Sequence, residues 1–360
     1  MAALRPKVVF HISGHGYGHA VRAVQVMAEL PPAVELEVAC PLPAAFFQWS
    51  LVRPFRYLPL ALDVGCRMAG PLGVDLAATR RAVEQLLADR KRLVESEAAR
   101  LAGGGAGVVV ADSGFLPLVA ARRAGLAAVL LASFTWREIY AGLAAAEPGL
   151  AACLPQVAEA YQALDLHLRP PLSMDFAFDG RTREVELIAP AGRDLGPSFR
   201  RGLGLGPGEK LALVYLGVYG GDRLPAWRVP PGWRLVGLEH QLDLPGYQKL
   251  DPGEFPHADV TASVDLVVGK LGYSLLATCL ATGTPILFEE RPAWPENPAL
   301  EAAARAWGGA WGVAPGRLWS QEPEVWAAAA ARRQAPRPRG GARQAAAILA
   351  DLAAGGRGRA

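Results

Sequence analysis

Short apolar runs and amphipathic stretches alternate along the chain. Lys7-Val8-Val9-Phe10 predicts a first β-strand, and apolar residues at 21, 24, 26, 27 and 30 fit one face of a helix that starts near Gly18. Val34 to Cys40 alternates apolar and polar residues as a half-covered strand does, and Pro41 and Pro43 stop it. Phe55 to Leu60 predicts a further short strand. Thr79 to Leu101 predicts a long helix whose charges form solvated faces, ended by Gly103-Gly104-Gly105. Val108-Val109-Val110-Ala111 reads as a buried strand with Asp112 at its carboxyl end. Residues 115 to 124 follow as a helix, Ala127 to Leu131 as a strand, and a helix begins near Trp136.

The stretch from 170 to 197 is broken by Pro170, Pro171, Pro190 and Pro197, which places an interdomain linker at about 185 to 196. A second series then begins. Leu211 to Leu216, Trp233 to Leu238, Val264 to Val268 and Pro285 to Glu289 predict strands, with a helix from the 270s to Ala281. Gly269 and Lys270 are expected in the loop between strand and helix. Arg332 to Arg343 reads as a Pro/Gly/Arg-rich link, Gln344 to Leu352 as a final helix, and Gly355 onward as a disordered tail. Strands and helices alternating at this spacing predict an α/β protein with parallel sheets covered on both faces. The expected units are residues 1–187, residues 188–331, and a segment 332–360 whose helix packs back on the body.

Composition narrows the class. A chain of 360 residues exceeds what a single core usually supports, and 51% hydrophobic residues are enough for two. A net charge of +3, from 37 basic and 34 acidic residues, does not point to nucleic acid. Cys40, Cys66, Cys153 and Cys279 are scattered without a C-x-x-C pair, as reduced thiols of a cytoplasmic protein would be. No apolar run reaches the roughly 18 residues of a membrane span. That leaves only peripheral membrane contact open.

The chemistry concentrates in His11-Ile12-Ser13-Gly14-His15-Gly16-Tyr17-Gly18-His19-Ala20-Val21-Arg22. A strand ends here, glycines turn the chain and a helix starts, so unpaired backbone N–H groups and the helix dipole favour an anionic ligand. A dinucleotide fingerprint fails, because His19 stands where its third glycine belongs. A zinc site from His11, His15 and His19 has helical spacing, but the glycines oppose a helix through it and H-E-x-x-H is absent. What remains is a ligand loop with an imidazole general base, or a glycine turn with incidental histidines. Gly269-Lys270 is not a P-loop, since Leu271 replaces the required Ser or Thr. An ammonium group beside helix-end amides still suits a phosphate. In parallel sheets ligands bind beyond the carboxyl ends of the strands, where the histidine loop, Asp112 and Ser133 all lie.

Two such units with glycine-rich loops facing a shared cleft resemble the GT-B architecture of glycosyltransferases, with two Rossmann-like domains. The stretches Ser13–Arg22, Ser133–Tyr140 and Val268–Tyr273 look like the glycosyltransferase-like domain that precedes the kinase domain of L-arabinokinases. Loop 217–221 and Glu296-Asn297 fit the pattern less strictly. The resemblance covers about residues 8 to 313, and no kinase-domain stretch follows, so arabinokinase activity is not implied. More distantly the chain resembles glycosyltransferase families 28 and 1.

The resemblance implies a nucleotide-activated sugar, a UDP-sugar above others, used as a substrate with no separate cofactor and no metal. It implies inverting transfer to a hydroxyl acceptor, with His19 as base, Asp112 orienting it and His15 as the rival base. It implies donor contacts from Gly16, Gly18, Gly220, Gly221, Lys270, Gly272, Tyr273, Ser274, Thr278, Glu296 and Asn297. Related donor loops carry a ribose-binding glutamate where this chain has Thr278. The rival readings are a nucleotide-sugar epimerase or hydrolase of the same fold, and a non-catalytic sugar or nucleotide sensor.

Overall fold

A computed structural model describes residues 5–70, 73–217, 229–238, 242, 246–320 and 322–355 of the chain. The first unit runs β1 (Lys7–Ile12), α1 (Tyr17–Glu29), β2 (Glu35–Ala39), α2 (Ala44–Ser50), β3 (Arg56–Leu58), α3 (Leu76–Gly103), β4 (Val108–Asp112), α4 (Leu116–Arg123), β5 (Ala127–Leu131), α5 (Trp136–Leu143), α6 (Pro148–Tyr161), β6 (Leu166–Arg169) and β7 (Thr182–Glu184). The second runs α7 (Gly196–Gly202), β8 (Lys210–Tyr215), β9 (Trp233–Gly237), β10 (Tyr247–Lys249), α8 (His257–Ser263), β11 (Leu266–Lys270), α9 (Tyr273–Thr282), β12 (Ile286–Glu289), α10 (Asn297–Trp307), β13 (Ala310–Val313) and α11 (Pro323–Ala330), and α12 (Gly341–Ala354) follows as the last described helix.

The strands form two parallel sheets, of seven strands in the order β3-β2-β1-β4-β5-β6-β7 and of six in the order β10-β9-β8-β11-β12-β13. Successive side chains of a strand face opposite sides, and the cores follow that period. Val8, Phe10, Val108 and Val110 pack under α1 and α12, while Val9, Val109 and Ala111 pack under α3 to α6. Local chemistry sets several element ends. Asp75 caps α3 by accepting from the Ala78 N–H at 2.8 Å, and Thr135 caps α5 by accepting from the Arg137 N–H at 3.2 Å. Gly283, at φ 71°, closes α9 in the left-handed conformation.

One expectation is corrected. Gly269 and Lys270 belong to β11 rather than to the loop after it. Gly269 pairs with Tyr215 of β8 and Phe288 of β12. A Cβ at Gly269 would stand 1.8 Å from the Tyr215 carbonyl oxygen, so this glycine serves close strand approach, not a turn.

The chain passes between the units twice. In the first crossing Val185 and Ile188 pack into the first core while Leu187 and Ala189 pack into the second. The second crossing returns α12 to α1. The crossings touch: Gly341 N–H donates to the Leu187 carbonyl at 3.2 Å, and Glu186 N–H donates to Gln344 Oε1 at 2.7 Å. Among the described residues no helix is long and apolar enough to cross a membrane.

Candidate functional site

The site forms where the start of α1 faces the start of α9. Neither helix start carries a side-chain cap, so their first N–H groups lack the usual oxygen partner. The glycines of the first loop have separate reasons. A Cβ at Gly14 would meet Pro41 Cγ at 2.4 Å, and one at Gly18 would meet Ser274 Oγ at 3.3 Å. At Gly16 and Gly272 an added Cβ would meet no atom within 4 Å. Gly220 and Gly221 lie outside the described residues.

His19 sits in the first turn of α1, and Asp112 ends β4 beside Ile12 of β1. That register brings them together: His19 Nδ1 lies 2.6 Å from Asp112 Oδ1. Burial alone would raise the Asp112 carboxyl, but Arg22 and His19 outweigh it and hold it below the usual carboxylate range. An ionised Asp112 can only accept, so the shared proton sits on Nδ1, and in the neutral ring the lone pair is then on Nε2. Phe134 and Trp136 flank the ring at 5.6 Å and 6.3 Å. Asp112 does not cap the following helix, whose N-cap is Phe115.

Arg22, one turn beyond His19, was not among the expected site residues. It is 2% exposed, and its Nη2 and Nε donate to the two Asp112 oxygens at 2.6 Å and 3.2 Å. In a sequence an arginine on an amphipathic helix reads as a solvated residue. The available signal was its spacing of three from His19, which puts both on one helix face.

The other two histidines of the loop diverge from His19. His11 Nε2 lies 2.9 Å from Glu97 Oε1, behind the sheet. His15 stacks on Trp294 of the second unit at 5.7 Å and 12°, and its Nδ1 accepts from the Cys66 N–H at 3.3 Å. Burial, with His19 and Lys270 nearby, pushes the His15 imidazole down to about 3 and keeps it neutral. Among the described residues no three His, Cys, Asp or Glu side chains are grouped to hold a metal ion.

From the second unit, Lys270 ends β11. Burial and Arg291 push its ammonium down to about 7, with Glu296 pulling the other way. Tyr273 lies under the Arg22 guanidinium, 5.0 Å from Cζ to the ring centre. Ser274 Oγ donates to the Gly18 carbonyl at 2.6 Å. Thr278 is 3% exposed and donates to the Ser274 carbonyl at 2.7 Å, so its hydroxyl proton is spent within the helix. Glu296 and Asn297 open α10, and each carries a buried oxygen (Oε1 and Oδ1) without a hydrogen-bond partner among the described residues. Burial raises the Glu296 carboxyl, while His19 and the Trp294 indole pull it back.

Comparison with solved structures settles the architecture. The chain superimposes on the glycotransferase of kitacinnamycin with TM-score 0.62 at 16% identity, covering 97% of each chain. It matches a UDP-glucosyltransferase from Polygonum tinctorium with TM-score 0.59 at 12% identity, over 98% of this chain and 100% of that one. It matches Arabidopsis thaliana UGT89C1, solved with UDP-L-rhamnose, with TM-score 0.59 at 13% identity, over 97% and 99%. The fold is GT-B. Within this GT-B frame, β1 to β7 form one Rossmann-like sheet and β8 to β13 the other. No family model matches the chain. In sequence it is 28% identical over 299 residues to the L-arabinokinase of Arabidopsis thaliana, covering 81% of this chain and 29% of the relative's length.

Proposed function

We propose that the protein binds a nucleotide-activated sugar, a UDP-sugar, between its two sheets and transfers the sugar to a hydroxyl acceptor with inversion and without a bound metal. The observation that carries this reading is the 2.6 Å contact of His19 with Asp112 opposite the uncapped start of α9. The acceptor hydroxyl gives its proton to His19 Nε2 as its oxygen bonds to the anomeric carbon. The bond from that carbon to the diphosphate oxygen breaks, and the nucleoside diphosphate leaves with the electron pair. Asp112 meets the imidazolium, and the α9 amides with Lys270 meet the leaving diphosphate. His15 is the weaker base, because Cys66 occupies Nδ1 and the proton then lies on Nε2. The orphan acceptors of Glu296 and Asn297 suit sugar hydroxyls. The neighbour solved with UDP-L-rhamnose and the sugar named in L-arabinokinase support this substrate class.

A sensor that binds without turnover is the second reading, favoured by Thr278, whose hydroxyl proton is spent on Ser274. Turnover separates the two. UDP release from UDP-sugars with a panel of hydroxyl acceptors should fall about 10²–10⁴-fold in His19→Ala, with UDP affinity kept. Asp112→Asn should cost a similar factor, and the double variant little more than His19→Ala. Wild-type-like release in His19→Ala defeats the catalytic role, and absence of UDP binding defeats the donor site.

A further inference from the structure

We propose that Arg22 is a positioning residue that locks Asp112 in the orientation fixing the His19 tautomer, and that the second unit completes this lock through Tyr273. Its catalytic consequence rests on the transferase reading; the geometric part does not.

Arg22 is buried at the junction of the two sheets, and the proton transfer itself makes no use of it. Its fork grips both carboxylate oxygens, with Nη2 on Oδ1 and Nε on Oδ2. The remaining arm is held as well, since Nη1 donates to Ser133 Oγ at 3.0 Å beyond the end of β5. The guanidinium carbon lies over the ring of Tyr273, the first residue of α9. Three elements from two units thus fix one planar group, and that group fixes Asp112. The other side-chain partners of the carboxylate are His19 itself and Ser113 Oγ at 3.3 Å, both on Oδ1. Without the fork no other side chain among the described residues holds Oδ2, and the carboxylate can turn about its side-chain torsions. His19 Nδ1–H then loses a fixed acceptor and the imidazole can carry its proton on either nitrogen. A proton on Nε2 removes the lone pair that an acceptor hydroxyl needs. Lysine supplies the charge but only a single nitrogen, so it cannot replace the fork.

The test is the ¹⁵N spectrum of the His19 ring in the unliganded 360-residue chain at pH 8, assigned with His19→Gln. The wild type should show one tautomer, protonated at Nδ1. Arg22→Lys should show both tautomers, and turnover of a UDP-sugar should fall about 10²-fold with UDP affinity unchanged. Tyr273→Leu should give a smaller change of the same sign. A folded Arg22→Lys protein that keeps the single Nδ1–H tautomer overturns the proposal, whatever its activity. If Arg22→Lys does not fold, Ser133→Ala takes its place: a mixed signal supports the lock and an unchanged one overturns it. A wild type that turns over no UDP-sugar defeats the transferase reading and leaves the tautomer result to decide the role of Arg22.

Discussion

Gly18 and Ser274, 256 positions apart in sequence, are joined by a 2.6 Å hydrogen bond from the serine hydroxyl to the glycine carbonyl. Each residue lies in the first turn of its helix, α1 in one case and α9 in the other. The bond therefore brings two positive helix ends together, beside the His19–Asp112 pair on one side and Lys270 on the other. An anion bound there, as the proposed function requires, would meet amides from both units.

Lys270 should make the proposed diphosphate binding pH-dependent. Its ammonium, pushed down to about 7, loses its proton as the pH rises through that value. UDP affinity should therefore be highest below pH 7 and decline above it. Lys270→Ala should bind UDP more weakly at pH 6.5 by a factor corresponding to about 1.5–3 kcal/mol, bind uridine almost normally, and lose the dependence. Calorimetric titrations of both ligands from pH 6 to 9 check this. Equal losses for uridine and UDP would show that Lys270 does not meet the phosphates.

The two glycines around Lys270 should respond differently to alanine. Gly269→Ala drives a methyl into the Tyr215 carbonyl of the adjacent strand and should cost about 3 kcal/mol or more in urea unfolding. Gly272 is extended, with no atom within 4 Å of an added Cβ, so Gly272→Ala should stay within about 1 kcal/mol of the wild type. A Gly269→Ala protein as stable as Gly272→Ala would contradict the strand assignment.

Behind the first sheet, Glu97 contributes acid-sensitive stability. Burial would raise its carboxyl, but Arg100 and His11 outweigh burial and hold it at about 2, below its ordinary 4.5. A carboxyl depressed in the folded state stabilises fully above about 4.5 and loses that contribution as the pH falls toward 2. Glu97→Gln should therefore cost about 3 kcal/mol at pH 7, with the difference from wild type shrinking below pH 4.5. Denaturant curves at pH 7, 4 and 2.5 measure it. A pH-independent difference would assign the loss to packing.

What the sequence disclosed followed apolar patterning. β1, β4, β5, β8 and β12 are short apolar runs, and each lies within about two residues of its expected place. β6 and β7 escaped notice because Leu-His-Leu-Arg and Thr-Arg-Glu are too short and too charged to stand out between prolines. α6 was hidden by Pro148 and Pro155, although a proline in the first turn of a helix costs little. Gly269 was misplaced for a related reason. A glycine before a helix reads as a turn, and its need for a bare Cα appears only once the Tyr215 carbonyl is seen against it. At the site, the pairing of His19 with Asp112 was legible because one starts the helix that follows β1 and the other ends β4, the strand beside it. Arg22 was not, since burial of an arginine depends on partners from β4, α9 and the loop after β5 that no local pattern reveals.

The two chain crossings, bonded to each other through Gly341 and Leu187, make a single pivot rather than two separate tethers. A jaw held on one pin can swing but cannot slide. A rotation of the units about that point would spare these bonds, while translation of one sheet past the other would tear the Gly341 and Gln344 bonds and unseat α12 from the helix that carries His19. Cutting the chain between the sheets would not free an intact first half, because part of its outer layer is supplied by α12.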